Sequence, residues 1–484
     1  MKLININLYL GKLLSLFVVV CPLLASCSKD NFSDELNKKL QGLDNINSIT
    51  KLQNTNKSFT CQYEIYFNMP LDWNKPTENT FKQRVIIDAK AFDIPTVVEL
   101  HGYALGDKYI TEGYTRELPV LLNTNFIAIE HRYFNLSIPS APDYENSSYW
   151  DALTVENASK DHEFIIKQLR KVFTNKWIAT GTSKGGYVTN VLASYHPDTC
   201  DIYVPYVAPL AKQFDNRPFK FLSETAGNKL FGEKRGKEVR EEILNFQIYC
   251  FEHKDELVDL LFSEQYCSKD ARFRSAVSHE NIFDINMLEF AYIFWQYQRL
   301  DISVIEDFLK LEDSSEKVKK AADIIKLNDT SVEAFRYNKP HYPYYVTALK
   351  EMGNLHYDFT YIKEQASALG KTINVSIPKE QEIEVYTKMI YSDNQLKNFV
   401  YSDSVYNHLV GWINDTTINT KVIMINGLED PWFYVSIPQP LKRGENINIY
   451  NHPTGNHTVQ ITDFADNEKN EILNLLNTWL NEKQ

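Results

Sequence analysis

Basic charge is in short supply: 51 lysines and arginines stand against 63 aspartates and glutamates, a formal net charge of −12 over 484 residues. With no basic field to displace counterions from phosphates, nucleic acid is excluded as a partner, and the negative balance serves solubility. Cysteine is scarce, six residues with no CxxC pair and no Cys/His cluster, so no metal site is expected. No internal repeat occurs, which sets aside solenoids and propellers. The apolar run Leu13 to Leu24 is too short to span a bilayer comfortably as a mature helix.

That run sits behind Lys2 and Lys12, so residues 1–27 read as a targeting segment that is removed. The junction Leu24-Ala25-Ser26-Cys27 resembles a bacterial lipoprotein box. Cys27 would then carry acyl chains that hold the chain on a membrane face of the cell envelope. An ordinary signal peptide cleaved nearby is the alternative. Residues 28–58, rich in Asn, Ser, Lys and Asp, are expected to form a polar tether. Cys61, Cys200, Cys250 and Cys267 remain. Export permits disulfides, and Cys250 with Cys267 is the nearest pair, but spacing leaves the connectivity open.

What is present is an ordinary globular composition, 43% hydrophobic, with aromatics at 13% from 29 Tyr, 27 Phe and 7 Trp. From about Thr60, short apolar runs alternate with helical stretches, the pattern of a mostly parallel sheet flanked by helices. Tyr63 to Phe67, Arg84 to Ala89, Thr96 to Leu100 and Phe126 to Glu130 read as strands, and Asn157 to Phe173 as an amphipathic helix. From Leu210 to Asn398 the pattern is largely helical. Strand character returns at Lys421 to Asn426 and Asn446 to Tyr450, before a last helix over Asn467 to Leu480. The expected organisation is a core over 59–209 and 399–484, split by a helical cap over 210–398.

The chemistry concentrates in Gly181-Thr182-Ser183-Lys184-Gly185. A serine hydroxyl needs presentation and an adjacent base to act as a nucleophile. Here the pentapeptide follows the short strand Trp177 to Thr180 and precedes a helix, the strand-turn-helix context of a nucleophile elbow. The fold class predicted is therefore α/β, an α/β-hydrolase core with a large helical cap insertion. In that fold the acid and histidine follow the serine in chain order. Asp430, in the turn after Lys421 to Asn426, is the expected acid, with Glu429 its rival. His457 is the expected base, with His452 as the competitor beside the last strand. The backbone N–H of Lys184, together with that of Tyr103 in Leu100-His101-Gly102-Tyr103, would stabilise the oxyanion; His101 itself reads as a packed loop residue. No cofactor is needed by such chemistry, and no obligate protein partner is inferred.

Several segments together carry a resemblance: Pro70-Leu71-Asp72, Phe81-Lys82-Gln83-Arg84, Glu130-His131-Arg132-Tyr133-Phe134, Gly181-Thr182-Ser183-Lys184-Gly185-Gly186, Tyr206-Val207-Ala208-Pro209 and Asp430-Pro431-Trp432. In these the chain resembles the serine peptidases typified by the streptomycete prolyl tri- and tetrapeptidyl aminopeptidases, and more distantly the Pro-X carboxypeptidase group. The resemblance implies an exopeptidase that removes short peptides from N-termini, often after proline, beneath a helical cap. Trp73 departs from it, standing where these families tend to have His. An aminopeptidase must also hold a cationic N-terminus, for which Glu351 and Glu130 are the candidate carboxylates. Phe290, Tyr292, Phe294, Trp295 and Tyr297 are candidates for either a proline-accepting pocket or cap core. An acyl ester hydrolase with the same three residues, and a non-catalytic surface-binding lipoprotein, are the alternatives.

Overall fold

Alternation along the central strands decides the layers. In β4 (Thr96–Leu100) and β5 (Asn125–Ile129), Val98, Leu100, Ile127 and Ile129 enter one apolar cluster, while Val97, Phe126 and Ala128 enter another. Successive side chains of a strand point to opposite faces, so both faces of the sheet are covered. These observations come from a computed structural model that describes residues 31–139, 143, 145–336, 341–355, 358–436 and 442–482. The targeting segment and Cys27 lie outside the described residues.

The sheet has nine strands in the order β1-β2-β3-β5-β4-β6-β7-β8-β9. β1 (Ile46–Leu52), β2 (Cys61–Pro70) and β3 (Thr80–Ala89) pair antiparallel, and β3 joins β5 the same way. From β5 onward the pairing is parallel through β4, β6 (Trp177–Thr182), β7 (Ile202–Tyr206), β8 (Val422–Gly427) and β9 (Ile447–His452). The chain order reverses about β4, which puts a topological switch point between the carboxyl ends of β4 and β6. Open α/β sheets bind ligands in such a crevice. This is the α/β-hydrolase fold.

Residues 31–58 do not form the expected tether. A helix, α1, covers residues 31–41 and buries Leu36 and Leu40, four apart on one face, against the sheet. Ser33 adds a 2.8 Å hydrogen bond to the Tyr63 hydroxyl on β2. The polar composition that suggested a tether is the outer face of this helix and of an edge strand, β1.

Helices α2 (Val155–Leu169) and α3 (Lys184–Tyr195) pack on the same face as α1, and a late helix, α7 (Asp466–Asn481), covers the other. Between β7 and β8 the chain leaves the sheet for a helical cap with its own apolar centre. There α4 (Glu233–Glu252) brings Phe246 and Cys250 against Phe283 and Phe290 of α5 (His279–Tyr297). Helix α6 (Ser404–Asn414) returns to the sheet, burying Leu409 and Trp412 beside α3. Cys61, Cys200, Cys250 and Cys267 are separate buried thiols, so neither Cys250–Cys267 nor any other pair among them is bridged.

Candidate active site

The elbow follows from steric crowding. Ser183 holds φ 58° and ψ −122° between β6 and α3, a conformation that costs a non-glycine residue energy and persists because its surroundings enforce it. A Cβ on Gly181 would lie 2.3 Å from the Gly185 carbonyl oxygen, and one on Gly185 would lie 2.7 Å from that of Leu100. Only glycine allows the turn to close this tightly against the β4 end. The Ser183 N–H donates to the Tyr206 carbonyl at 2.9 Å, fastening the turn to β7. Lys184 opens α3, so its N–H belongs to the first turn, where no intrahelical acceptor exists.

Asp430 and His457 meet as the chain order requires. Asp430, fully buried beyond β8, accepts from the Trp432 N–H at 3.0 Å through Oδ1 and binds His457 Nδ1 at 2.6 Å through Oδ2. One carboxylate thus holds its own turn and the imidazole. The His457 N–H donates to the Gln296 carbonyl at 3.0 Å and Asn456 donates to the Tyr297 carbonyl at 3.1 Å, so the end of cap helix α5 positions the histidine loop. No sequence signal pointed to Gln296. His457 Nε2 is buried without a protein hydrogen-bond partner, and its ring lies between Tyr297 and Trp432. Ser183 and His457 line one cavity of about 960 Å³ at the switch point, beneath Tyr297, Tyr344 and Tyr345 of the cap.

The rival residues have other partners. The Glu429 carboxylate accepts from the Gly227 and Lys229 N–H groups at 2.7 and 2.8 Å, anchoring the cap. His452 Nε2 bonds the Asp463 carbonyl at 3.0 Å. His101 remains a loop residue, its Nδ1 accepting from the Tyr103 N–H at 3.2 Å. That bond corrects one expectation. The Tyr103 backbone N–H turns back to a side chain two residues upstream instead of toward the cavity, so it is not the second oxyanion donor. The Tyr103 phenol, instead, is hydrogen-bonded to the Ser183 side chain.

Neither carboxylate expected to bind an N-terminus lines the cavity. Glu130, with no exposed surface, accepts from the Leu105 and Leu136 N–H groups and the Ser137 hydroxyl, and faces Arg84 at 3.8 Å. Glu351 accepts from the Val155 N–H at 2.7 Å, capping α2. Burial pushes both carboxyls above the usual range. Both close gaps inside the fold. The carboxylates that do face substrate space are elsewhere. Glu117 lines the main cavity but is held by the Tyr206 hydroxyl at 2.7 Å and the Ile461 N–H at 2.8 Å. A side chamber of about 250 Å³, sharing Tyr297, Tyr344, Tyr345 and Trp432 with the main cavity, is lined by Glu289 and Asp329. Asp329 pairs with Arg299. Of the aromatic set on α5, Tyr292 and Tyr297 line that chamber, while Phe290, Phe294 and Trp295 are cap core.

The segments behind the family resemblance also find physical roles. Arg132, buried, makes paired bonds of 2.6 and 2.8 Å to Asp161 and donates to the carbonyls of Pro70, Leu71 and Ala152. The Trp73 indole N–H completes the set with a 2.8 Å bond to Asp161, so the departure at this position keeps a ring donor there. Lys184 extends the cluster toward the site. Its buried ammonium has no hydrogen-bond partner and lies 4.6 Å from the Phe134 ring centre and 5.4 Å from that of Tyr103. Burial pulls its pKa down to about 7.

A doubly covered parallel sheet, a strained serine at the switch point and an Asp–His pair in the same cavity define the hydrolase class to which this chain belongs. The chain belongs to the PS-10 peptidase S37 family, whose model matches residues 36–386, and this places it among the serine peptidases. It is 26% identical over 232 residues to the prolyl tri/tetrapeptidyl aminopeptidase of Streptomyces mobaraensis, a match covering 48% of this chain and 45% of that protein. The chain therefore aligns with just under half the length of that relative. Similar solved structures include acetyl xylan esterase 1 from Thermoanaerobacterium sp. JW/SL YS485, 12% identical with TM-score 0.33 over 92% of this chain and 93% of that one. Another is the proline iminopeptidase of Mycobacterium smegmatis, 12% identical with TM-score 0.33 over 90% and 99% of the two chains.

Proposed function

We propose that the protein is a serine exopeptidase that releases short, tri- or tetrapeptide-sized fragments from free N-termini, with a preference for proline, through an acyl-enzyme at Ser183. The observation that carries this reading is the buried Asp430–His457 pair, with an imidazole nitrogen left without a protein partner in the cavity that Ser183 lines. His457 Nε2 takes the Ser183 proton as Oγ bonds the acyl carbon, and returns it to the departing amine. Asp430 holds Nδ1–H and stabilises the imidazolium. Water then repeats the sequence on the ester.

The cap supplies the reasons for an exopeptidase. The side chamber gives a peptide end a confined space off the main cavity. Its tyrosine and tryptophan walls suit the flat apolar face of a prolyl ring, the preference suggested by the Streptomyces mobaraensis relative. Glu289 is the carboxylate best placed there to receive an α-ammonium, the role first considered for Glu351 and Glu130. Anchoring through a lipidated Cys27 would keep the enzyme at the cell envelope, acting on peptides from outside. The test compares tripeptidyl-proline amides having free and acetylated N-termini with short aryl esters, using Ser183→Ala as the control. Glu289→Gln should lower kcat/KM on free N-termini by about 100-fold, the loss expected of a buried charge-assisted contact, and leave the esters unchanged. Hydrolysis of acetylated peptides as fast as free ones would end the exopeptidase reading.

A further inference from the structure

The geometry points to the phenol of Tyr103, in place of its backbone N–H, as the second hydrogen-bond donor to the oxyanion formed at Ser183. The inference rests on the acyl-enzyme reading above and adds a catalytic residue to it.

Three independent contacts carry it. The Tyr103 N–H, where the loop after β4 should offer its donor, is taken by His101 Nδ1. The phenol of the same residue hydrogen-bonds the Ser183 side chain, so a donor already stands at the reacting atom. Its ring is fixed on several sides. Phe134 and His341 meet it edge to face at 5.7 and 5.4 Å, Tyr344 lies at 5.8 Å, and the Lys184 ammonium sits 5.4 Å from its centre. A donor locked before substrate arrives costs no reorganisation in the transition state. Burial also holds the phenol well above its ordinary pKa, so it keeps its proton.

The step balances simply. Ser183 Oγ bonds the acyl carbon while its proton passes to His457 Nε2, and the carbonyl π pair becomes a lone pair on oxygen. That oxygen accepts from the Tyr103 O–H and the Lys184 N–H. On collapse the C=O re-forms, the C–N bond breaks, and the amine leaves with the proton from His457. The phenol exchanges one acceptor for another and is not consumed.

Tyr103→Phe keeps the ring and its packing and removes only the hydroxyl. Losing one oxyanion donor lowers kcat by roughly 100- to 1000-fold. The expected result is a fall of that size with KM and the melting temperature little changed. Affinity for a peptide aldehyde should fall in parallel, while affinity for the product peptide stays. A kcat within about threefold of wild type, or equal weakening of aldehyde and product, overturns the inference. If the variant does not fold, trifluorotyrosine placed at position 103 keeps the shape and lowers the phenol pKa. The alkaline limb of kcat should then move to lower pH, and an unmoved profile overturns the proposal. Ser183→Ala separates the two levels. If it retains activity, the acyl-enzyme reading fails and this inference with it. If it is inactive while Tyr103→Phe is fully active, only the inference fails.

Discussion

At the end of β8 two neighbouring carboxylates face opposite halves of the molecule. Asp430 turns into the core and binds the His457 imidazole; Glu429 turns outward and receives two backbone N–H groups of the cap. One tight turn therefore joins the chemistry to the roof above it. The same coupling recurs at the histidine, whose loop hangs from the carbonyls of Gln296 and Tyr297 at the end of α5. The core presents reacting atoms from strand ends, while the cap fixes their surroundings through helix ends.

The sharpest way to break this comparison is to exchange the two carboxylates for amides separately. Asp430→Asn cannot hold the imidazole in the required tautomer and should lower kcat about 10⁴-fold with little loss of stability. Glu429→Gln leaves the imidazole alone and weakens the cap anchor, so kcat on a small aryl ester should stay near wild type while KM for peptides rises. Steady-state kinetics on both substrates decides this; equal effects of the two changes would show that the division between core and roof is false.

Next in size is the buried Arg132–Asp161 pair, which ties β2 and the loop after β5 to α2. Removing one member strands the other charge in the interior, so Asp161→Asn should cost about 3–5 kcal/mol of stability in denaturant unfolding. The kcat of the fraction that remains folded should hold.

Lys184 offers a test by pH. Its folded pKa is about 7 against an ordinary 10.5, so between these values the unfolded chain binds the extra proton. Stability rises with pH wherever the unfolded state binds more protons. The burial penalty is therefore full below about pH 7 and fades toward pH 10. Lys184→Met should be more stable than wild type near pH 6, with the advantage shrinking as pH rises. An advantage that does not vary with pH would mean that the ammonium carries its charge in both states.

These regions differ also in how far the sequence discloses them. Ser183, Asp430 and His457 were legible because each lies in a turn next to a strand whose pattern is local. The sheet itself was legible for the same reason. Tyr103 was found as a loop but with the wrong atom, since nothing in Leu100-His101-Gly102-Tyr103 says which way an N–H will turn. The helix over residues 31–41 was missed because two buried leucines among polar residues make a faint periodicity. Gln296 and Glu289 carry no signal at all. Their importance comes from where α5 ends and how it lies over the sheet, which is settled by packing between residues more than 100 apart.

Glu351 is the smallest and most instructive case. A glutamate in an aromatic cap segment suggested an ammonium site, yet its carboxylate reaches across the seam to the Val155 N–H at the first turn of α2. That group has no intrahelical acceptor, and a negative charge there also favours the helix dipole. Burial raises the carboxyl above its ordinary pKa, while the Val155 bond and Lys350 oppose the shift, so the contact is worth little more than an ordinary cap. Glu351→Ala should accordingly lower stability by about 1–2 kcal/mol. It should also change kcat/KM on free and acetylated peptides by the same small factor. A loss confined to free N-termini would move the ammonium site from Glu289 back to Glu351, and the seam would then belong to substrate recognition instead of to the fold.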